Sequence, residues 1–226
     1  MTRILMVATS HNKIGDTEQK TGLWIEELTT PYYIFKDNDI HVDIVSIQGG
    51  EIPIDPNSLE DKADSVKRYE QDEDLQKVLA NSPTLETIDA IEYDGIFLPG
   101  GHGTMWDFAQ SQKLGAIVGL LYQEKRPVAA VCHGPAGLLN AIDSNGSPLV
   151  KGKTITAFTN SEEDAVGLKN GVPFLLEDKL KALGATLDKA DDFAAHSIVD
   201  GNLITGQNPA SSAATAENMV KLLKSN

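Results

Sequence analysis

The stretch PVAAVCHGPA, residues 127–136, joins an apolar run to a group of small, turn-forming residues. The apolar half predicts a short buried strand, and the second half predicts a sharp turn into a helix. Cys132, the only cysteine of the chain, lies at this turn, with Ala130 two residues before it and Gly134 two residues after it. Small residues at those places let the backbone turn without a clash. The pattern therefore predicts a nucleophile elbow at Cys132.

Two interpretations of Cys132 follow from this placement. A helix that begins directly after the elbow would present backbone N–H groups and a favourable dipole to the sulfur, which would lower the pKa of the thiol. A buried cysteine can also be an inert apolar core residue. We expect a reactive thiol, because the elbow pattern favours exposure of the side chain at the edge of a sheet.

Strand and helix patterns alternate along the chain. The predicted strands are residues 3–9, 41–47, 93–98, 128–131 and 154–158, with a hairpin over 197–205. The predicted helices are residues 21–37, 72–80, 104–109, 112–124, 172–183 and 208–224. This alternation predicts an α/β fold with a doubly wound, mostly parallel sheet sandwiched by helices. Ligand sites in such sheets gather at the carboxyl ends of the strands, where Cys132 is placed.

The composition and charge of the chain disfavour some classes of binding partner. The chain has 226 residues and a formal net charge of -14, which disfavours nucleic acid and acidic membrane surfaces. We expect one domain over residues 1–226, because no linker-like stretch divides the sequence. A single cysteine cannot form an intramolecular disulfide, and the apolar runs are too short for a signal peptide or a membrane span. These features favour a soluble, cytoplasmic protein.

Glu27 lies on the apolar side of the helix predicted for residues 21–37. A step of 100° per residue places it among Trp24, Leu28 and Pro31, whereas Glu26 points the other way. Burial of an ionised carboxylate is costly, so this side chain is either neutral, paired or functional. A raised pKa would let Glu27 donate a proton or a hydrogen bond near neutral pH. The alternative is a glutamate at the edge of the stripe whose carboxylate reaches water.

Other candidate groups follow two further strands. Gly100 and Gly101 can present backbone N–H groups to an oxyanion, but taken alone they favour a tight turn without a ligand. His133 follows Cys132 directly and can supply an oxyanion N–H from its backbone. The acidic residues 162–164 can orient an imidazole, or they can simply cap a helix. The other four histidines are expected in surface or loop positions, and no spacing indicates a metal site or a dinucleotide-binding loop.

Taken together, these motifs resemble the ThiJ/PfpI superfamily, a branch of the class I glutamine amidotransferase-like folds. The match is closer to its heat-inducible chaperone and glyoxalase III branch. The stretches that carry the resemblance run in order along nearly the whole chain: residues 21–27, 99–104, 130–135, 152–163 and 200–211. The resemblance implies a flavodoxin-like sandwich with Cys132 as nucleophile, Glu27 as its protonated partner, and His133 held by Glu163. It also implies an oxyanion site at the backbone of Gly101 and His133, no cofactor and no metal.

The resemblance further implies a glyoxalase III-type lyase that converts methylglyoxal or glyoxal to a hydroxy acid such as D-lactate without glutathione. Deglycation and the holding of unfolded client proteins are also attributed to such proteins, and a homodimer stays open because dimers are common in the superfamily. Three alternatives use the same features. A stress holdase would use Cys132 only as a redox sensor, and a peptidase or amidase would use the same thiol as a nucleophile. A glutaminase is disfavoured, because Ser197 and Ile198 follow the late histidine where that class has a His-x-Glu pair.

Overall fold

A six-stranded sheet, with strand order β2-β1-β3-β4-β8-β7, forms the centre of the computed structural model, which describes residues 2–60 and 62–225. Neighbouring strands are parallel, except that β7 pairs antiparallel with β8 at one edge. The predicted doubly wound, mostly parallel sheet is confirmed. Met1, Asp61 and Asn226 belong to the predicted domain of residues 1–226 but lie outside the described residues. The strands are β1 (Arg3–Ala8), β2 (His41–Ser46), β3 (Gly95–Leu98), β4 (Val128–Val131), β5 (Thr154–Ile155), β6 (Thr186–Leu187), β7 (Ser197–Asp200) and β8 (Leu203–Gly206).

The helices cover both faces of this sheet. They are α1 (Ile25–Lys36), α2 (Asp64–Tyr69), α3 (Glu73–Ala80), α4 (Thr104–Asp107), α5 (Gln112–Gln123), α6 (Asn160–Ala165), α7 (Leu176–Ala182) and α8 (Ser212–Ser225). In the part of the chain that the structure describes, no helix has the length and apolar character needed to cross a bilayer.

The alternation of side chains along the strands divides the core into two clusters. In β1, Leu5 and Val7 pack in the cluster that contains the apolar residues of α5. Ile4 and Met6 point to the other face and pack in the cluster that contains residues of α1, α3 and α8. Because the central strands β1, β3 and β4 are buried on both faces, they are continuous apolar runs in the sequence, whereas the edge strand β2 begins with partly exposed polar residues.

Two predicted elements are shorter than expected because their backbone groups bond elsewhere. The strand predicted over residues 154–158 pairs only at Thr154–Ile155, with β6. The next backbone groups bond to β8 and to the elbow: Thr156 donates its N–H to the hydroxyl of Thr205 in β8, and Phe158 donates to the carbonyl of Cys132. Residues 21–24 are not helical either. Leu23 exchanges hydrogen bonds with the backbone of Pro53 and Asp55, so α1 begins only at Ile25.

The remaining differences concern helix boundaries. The helix predicted from residue 172 begins at Leu176, three residues after Pro173. The C-terminal helix begins at Ser212, after a short 3₁₀-helix at Pro209–Ser211. Helix α2 lies between the strand predicted over 41–47 and the helix predicted over 72–80, where the sequence pattern predicts no helix. These deviations leave the carboxyl ends of β1, β3 and β4 on one edge of the sheet, where the candidate site lies.

Candidate active site

Cys132 adopts a strained elbow conformation directly after β4. Its φ is 60°, a left-handed value that costs a non-glycine residue on the order of 1–3 kcal/mol. Two hydrogen bonds of 2.9 Å hold it in place: its N–H donates to the carbonyl of Gly206, and its carbonyl accepts from Phe158. The chain then passes so close to β3 that a Cβ on Gly134 would lie 2.1 Å from the carbonyl oxygen of Leu98. Only glycine fits at this position, two residues after the nucleophile.

The electrostatic environment of the thiol differs from the sequence-based expectation. The segment that follows Cys132 is a 3₁₀-helix of five residues, Gly134–Leu138, rather than an α-helix with a strong dipole. Only 4% of the residue is exposed. Burial, followed by the neighbouring Glu27 carboxyl, raises the pKa of the Cys132 thiol well above its ordinary value. The expected lowering of the thiol pKa by a helix is therefore wrong, and a nearby base is needed to form the thiolate.

His133 is in position to act as that base. Its Nδ1 lies 3.3 Å from the Cys132 sulfur, and its Nε2 lies 2.7 Å from Oε2 of Glu163. Burial, together with the neighbouring His102, lowers the pKa of His133, so the imidazole is neutral near pH 7. A carboxylate can only accept a hydrogen bond, so the single ring proton belongs on Nε2. The lone pair of Nδ1 consequently faces the thiol.

Glu163 accepts hydrogen bonds from two imidazoles. Besides His133, His102 lies with its Nε2 2.7 Å from Oε1 of this carboxylate. Burial opposes ionisation, but the two histidines outweigh it and hold the pKa of Glu163 far below its ordinary range. His102, expected in a surface or loop position, is only 8% exposed and belongs to the site. Its position two residues after Gly100, at the carboxyl end of β3 beside β4, was the sequence signal that could have identified it.

The neighbouring Glu162 has a different role. Its Oε2 accepts from the backbone of Thr159 in a capping box, and its Oε1 accepts from Phe193, Gln207 and Asn208. Both oxygens are therefore occupied by donors that tie α6 to the end of β8 and to the loop before β7. The structure separates the two functions that the sequence left open for this acidic cluster. Glu162 caps the helix, and Glu163 contacts the imidazoles.

Glu27 is fully buried and interacts with the Cys132 side chain. Its Oε2 accepts a 2.7 Å hydrogen bond from the N–H of Gly100, while its Oε1 has no hydrogen-bond partner among the described residues. Burial raises the pKa of Glu27 well above its ordinary value, although an interaction with the Cys132 side chain lowers it in part. Because Oε2 accepts the amide proton, the carboxyl proton belongs on Oε1. Glu26 is also buried rather than directed to solvent, and its Oε2 accepts from the hydroxyl of Ser212.

The backbone of the β3 turn completes this side of the site. Gly101 has a φ of 94°, and a Cβ there would lie 2.2 Å from the carbonyl oxygen of Gly22. Its N–H is used by no backbone carbonyl in the described part of the chain. The backbone N–H of His133 forms a hydrogen bond with the Cys132 side chain, which lowers the pKa of the thiol in part. The structure thus brings all five predicted site residues into one region.

A cavity of about 260 Å³ opens above the sulfur. Its wall combines the thiol and two histidines of the site with apolar side chains from separate parts of the chain: Trp24, Gly101, His102, Cys132, His133, Phe158, Val166, Phe193 and Pro209. The indole Nε1 of Trp24 is buried without a hydrogen-bond partner in the described structure.

One group of residues has the composition of a metal site. His102, His133 and Glu163 are all buried, and one ligand atom from each lies within 4.8 Å of the others. In the present arrangement both imidazoles direct Nε2 to the carboxylate, which gives these atoms hydrogen-bond partners within the protein. The expectation that the site works without a metal or cofactor stays a prediction.

Comparison with known proteins places this site in a family context. The chain is 34% identical to the "Glutathione-independent glyoxalase HSP31" of Saccharomyces cerevisiae, over 98% of each chain. A solved structure of the Rapid Encystment Protein 24 kDa of Francisella tularensis superposes with a TM-score of 0.96 at 42% identity, covering 99% of both chains. Glyoxalase III from Candida albicans gives a TM-score of 0.91 at 28% identity, over 100% of this chain and 98% of that one.

The family model for "DJ-1/PfpI family" matches residues 22–222, a range that includes Cys132, His133, Glu163 and Glu27. The resemblance suggested by the elbow and the motifs around it is confirmed over this range. The chain therefore belongs to the DJ-1/PfpI family.

Proposed function

We propose that this protein is a glutathione-independent glyoxalase of the glyoxalase III type, a lyase that converts methylglyoxal or glyoxal to the corresponding hydroxy acid. The observation that carries the proposal is that the Cys132 sulfur has a neutral base and a protonated acid as neighbours. His133 Nδ1 lies 3.3 Å from the sulfur, and the buried Glu27 carboxyl interacts with the same side chain. The names of the full-length relatives point to the same activity.

The first step is addition of the thiol to the aldehyde. His133 accepts the thiol proton at Nδ1, and the imidazolium that forms faces the ionised Glu163. The thiolate attacks the aldehyde carbon, and the carbonyl oxygen takes up a proton to give a hemithioacetal. Backbone N–H groups at Gly101 and His133 would stabilise the negative charge on this oxygen.

The following steps move hydrogen from the first carbon to the second. A base removes the carbon-bound proton to give an enediol, and Glu27 exchanges its Oε1 proton with the oxygens and then with the second carbon. Ketonisation yields a thioester of the hydroxy acid. Water hydrolyses this thioester, releases the product and returns the proton to the sulfur. The sum is one dicarbonyl and one water consumed for each hydroxy acid formed, with no net oxidation.

A peptidase would use the same cysteine and histidine, but the shape of the site favours a small substrate. Cys132 is 4% exposed, and the cavity above it measures about 260 Å³. A peptide chain would need an open groove on both sides of the nucleophile. Holdase activity toward client proteins and a homodimer stay predictions from the family resemblance, and a cytoplasmic location stays a prediction from the composition.

The test is turnover of methylglyoxal by purified protein in the absence of glutathione. We expect consumption of methylglyoxal to match formation of lactate, and D-lactate dehydrogenase to oxidise the product. Cys132→Ala should reduce the rate to the uncatalysed value. Turnover by wild type no faster than that of Cys132→Ala would contradict the proposal.

A further inference from the structure

His102 is a buried group of the site that the proposed reaction steps do not use. Its Nε2 lies 2.7 Å from Oε1 of Glu163, and the other oxygen of that carboxylate, Oε2, lies 2.7 Å from Nε2 of His133. Because a carboxylate can only accept a hydrogen bond, both imidazoles donate to it from Nε2. Each oxygen of Glu163 therefore has its own imidazole donor.

The turn after β3 holds His102 next to the elbow. Thr104 is fully buried, and its hydroxyl lies 2.9 Å from the carbonyl oxygen of Gly101 and 3.1 Å from that of His133, which ties the turn to the elbow. The rings of His102 and His133 lie 4.1 Å apart, centroid to centroid, and the ring of Phe158 packs edge-on against His102 at 6.1 Å. The tied turn and the ring packing therefore fix the direction in which His102 donates its hydrogen bond.

The orientation of Glu163 depends on both donors. The residue is only 3% exposed, and within the described part of the chain its carboxylate accepts hydrogen bonds only from His102 and His133. A buried carboxylate oxygen that loses its donor is not compensated by water. Without His102, the carboxylate would turn so that both oxygens compete for the one N–H of His133. The bond to Oε1 thus keeps Oε2 in line with His133.

We propose that His102 is a positioning residue for the thiol–imidazole pair. It acts through Glu163, because its hydrogen bond fixes the carboxylate that orients His133 and faces the imidazolium formed when Cys132 loses its proton. His102 itself forms no bond with the substrate. This inference rests on the proposed function for the reaction that is measured, and it adds a fourth residue to the contacts on which the base depends.

The experiment compares wild type with His102→Gln, His102→Asn and His102→Leu. Glutamine places an amide N–H near the position of the imidazole Nε2, asparagine is shorter by one CH₂, and leucine has no donor. Two rates are measured: turnover of methylglyoxal, with kcat and KM determined separately, and alkylation of Cys132 by iodoacetamide, which reports thiolate formation without any dicarbonyl. His41→Leu is the matched control, because Nε2 of His41 lies 3.2 Å from Asp43 and the side chain is 49% exposed.

We expect the variants without a donor in place to be slow. His102→Leu and His102→Asn should lower kcat roughly 10-fold, the factor that loss of one hydrogen bond to a charged group implies, and should leave KM within about 2-fold. Alkylation of Cys132 should slow by roughly the same factor, since less thiolate forms. His102→Gln should retain both rates within about 3-fold, and His41→Leu within about 2-fold.

A double-mutant cycle shows whether His102 acts through Glu163. Glu163→Gln alone is expected to lower kcat/KM roughly 100-fold. Addition of His102→Leu to this variant should lower kcat/KM by no more than about 2-fold further, because the carboxylate that His102 positions is already gone. A further loss of roughly 10-fold in the double variant would mean that the two residues act independently, and this result would overturn the proposal.

Two other results would overturn the positioning role: wild-type rates in His102→Leu, or an equal loss in His102→Gln and His102→Leu. If leucine prevents folding, His102→Asn and His102→Gln make the same comparison with polar side chains. The alkylation rates separate this outcome from failure of the proposed function. If alkylation follows the expected order but wild type converts no dicarbonyl, the positioning role stands and the glyoxalase activity is wrong.

Discussion

At the scale of single residues, two buried glutamates of the site have opposite protonation states. Glu27 faces a backbone amide on one oxygen and no partner on the other, and burial raises its pKa. Glu163 is nearly as buried but accepts from two imidazoles, and these hold its pKa well below the ordinary range. The site therefore contains one acid and one anion near neutral pH, which is the pairing that addition to an aldehyde requires.

Glu163→Gln tests the role of the anion. The two imidazoles contact different oxygens of Glu163, and the amide replaces one of these oxygens by an NH₂ donor, so one imidazole loses its acceptor and the imidazolium of His133 loses its counter-charge. We expect kcat/KM for methylglyoxal to fall roughly 100-fold, within the range observed for loss of general-base assistance. In wild type, the acid side of the pH profile should have its inflection below 6.5, because the pKa of His133 is lowered from that value.

The pH profile also provides the control for this prediction. Removal of the carboxylate disfavours the imidazolium, so the inflection of Glu163→Gln should move to still lower pH. An inflection at or above 6.5 in wild type would contradict the neutral-base assignment, and an unchanged rate in Glu163→Gln would exclude a positioning role for this carboxylate.

Glu27→Gln tests the protonated acid through protein stability. A glutamine mimics the protonated carboxyl, since its oxygen can accept from Gly100 and its NH₂ replaces the acid proton. The folded-state pKa of Glu27 is raised above the ordinary 4.5, so the folded protein binds a proton that the unfolded chain releases as the pH rises. The free energy of unfolding of wild type should therefore decrease, relative to Glu27→Gln, by up to about 1.4 kcal/mol per pH unit above 4.5.

Urea denaturation at pH 4.5, 6 and 7.5 measures this difference. The two proteins should have similar stability at the lowest pH, and the glutamine variant should be the more stable one at the highest, although its turnover is slower. A stability difference that does not change with pH would mean that Glu27 is ionised in the folded protein.

At the scale of secondary structure elements, helix α6 holds the Glu163 carboxylate in position through the neighbouring Glu162. Glu162 is fully buried, closes the capping box with Thr159 and accepts from three further donors. The capping box fixes the first turn of the helix, and the other bonds tie this turn to the loop that carries Phe193. Glu163 follows Glu162 in the same helical turn. The bonds that hold Glu162 in place therefore also fix the position from which the Glu163 carboxylate contacts His102 and His133.

Glu162→Gln should therefore act on stability. A glutamine presents an NH₂ group to an arrangement made only of donors, so at least one buried N–H loses its acceptor. We expect the free energy of unfolding to fall by roughly 1–3 kcal/mol. Asp164→Asn, on the same helix with a side chain that is 66% exposed, should change it by less than about 0.5 kcal/mol. Equal effects of the two variants in thermal denaturation would contradict the structural role of Glu162.

At the scale of the whole molecule, the strand order brings the site residues together, and the net negative charge destabilises the folded state. The order β2-β1-β3-β4 brings the loops after β1, β3 and β4 to one edge, so α1, the Gly100–Gly101 turn and the elbow meet there. The formal net charge of -14 acts on the same molecule without regard to this arrangement. Self-repulsion of that size destabilises the folded state at low ionic strength.

Thermal unfolding should therefore depend on salt. We expect the Tm to rise by roughly 2–4 °C between about 10 mM and 0.5 M NaCl, because screening weakens the repulsion more than it weakens scattered surface ion pairs. Replacement of the exposed Glu51, Glu60 and Glu86 by glutamine should reduce the salt effect. A Tm that falls with added salt would show that favourable ion pairs outweigh the net charge.

The sequence by itself determined the strand–helix alternation, the elbow and the placement of Glu27 on a buried stripe. Each of these depends on local rules: a periodicity of apolar residues, or the need for small residues where the backbone turns sharply. The sequence pattern identifies Gly134 as part of the elbow, and the structure gives the reason: a side chain there would collide with the neighbouring strand. Helix boundaries were less predictable, because the backbone of Leu23 bonds to Pro53 and Asp55, which are distant in the sequence.

Only the tertiary structure decided which groups act on the sulfur and in which state. The burial of His102 and its 2.7 Å contact with Glu163 exist because the fold brings the turn after β3 against α6. The raised pKa of Cys132 depends on desolvation by segments far apart in the chain, and no local pattern records that quantity. The unpaired indole of Trp24 is likewise visible only once the surrounding atoms are placed. Local backbone geometry depends on neighbouring residues in the sequence, whereas burial and hydrogen-bond partners depend on the assembled fold.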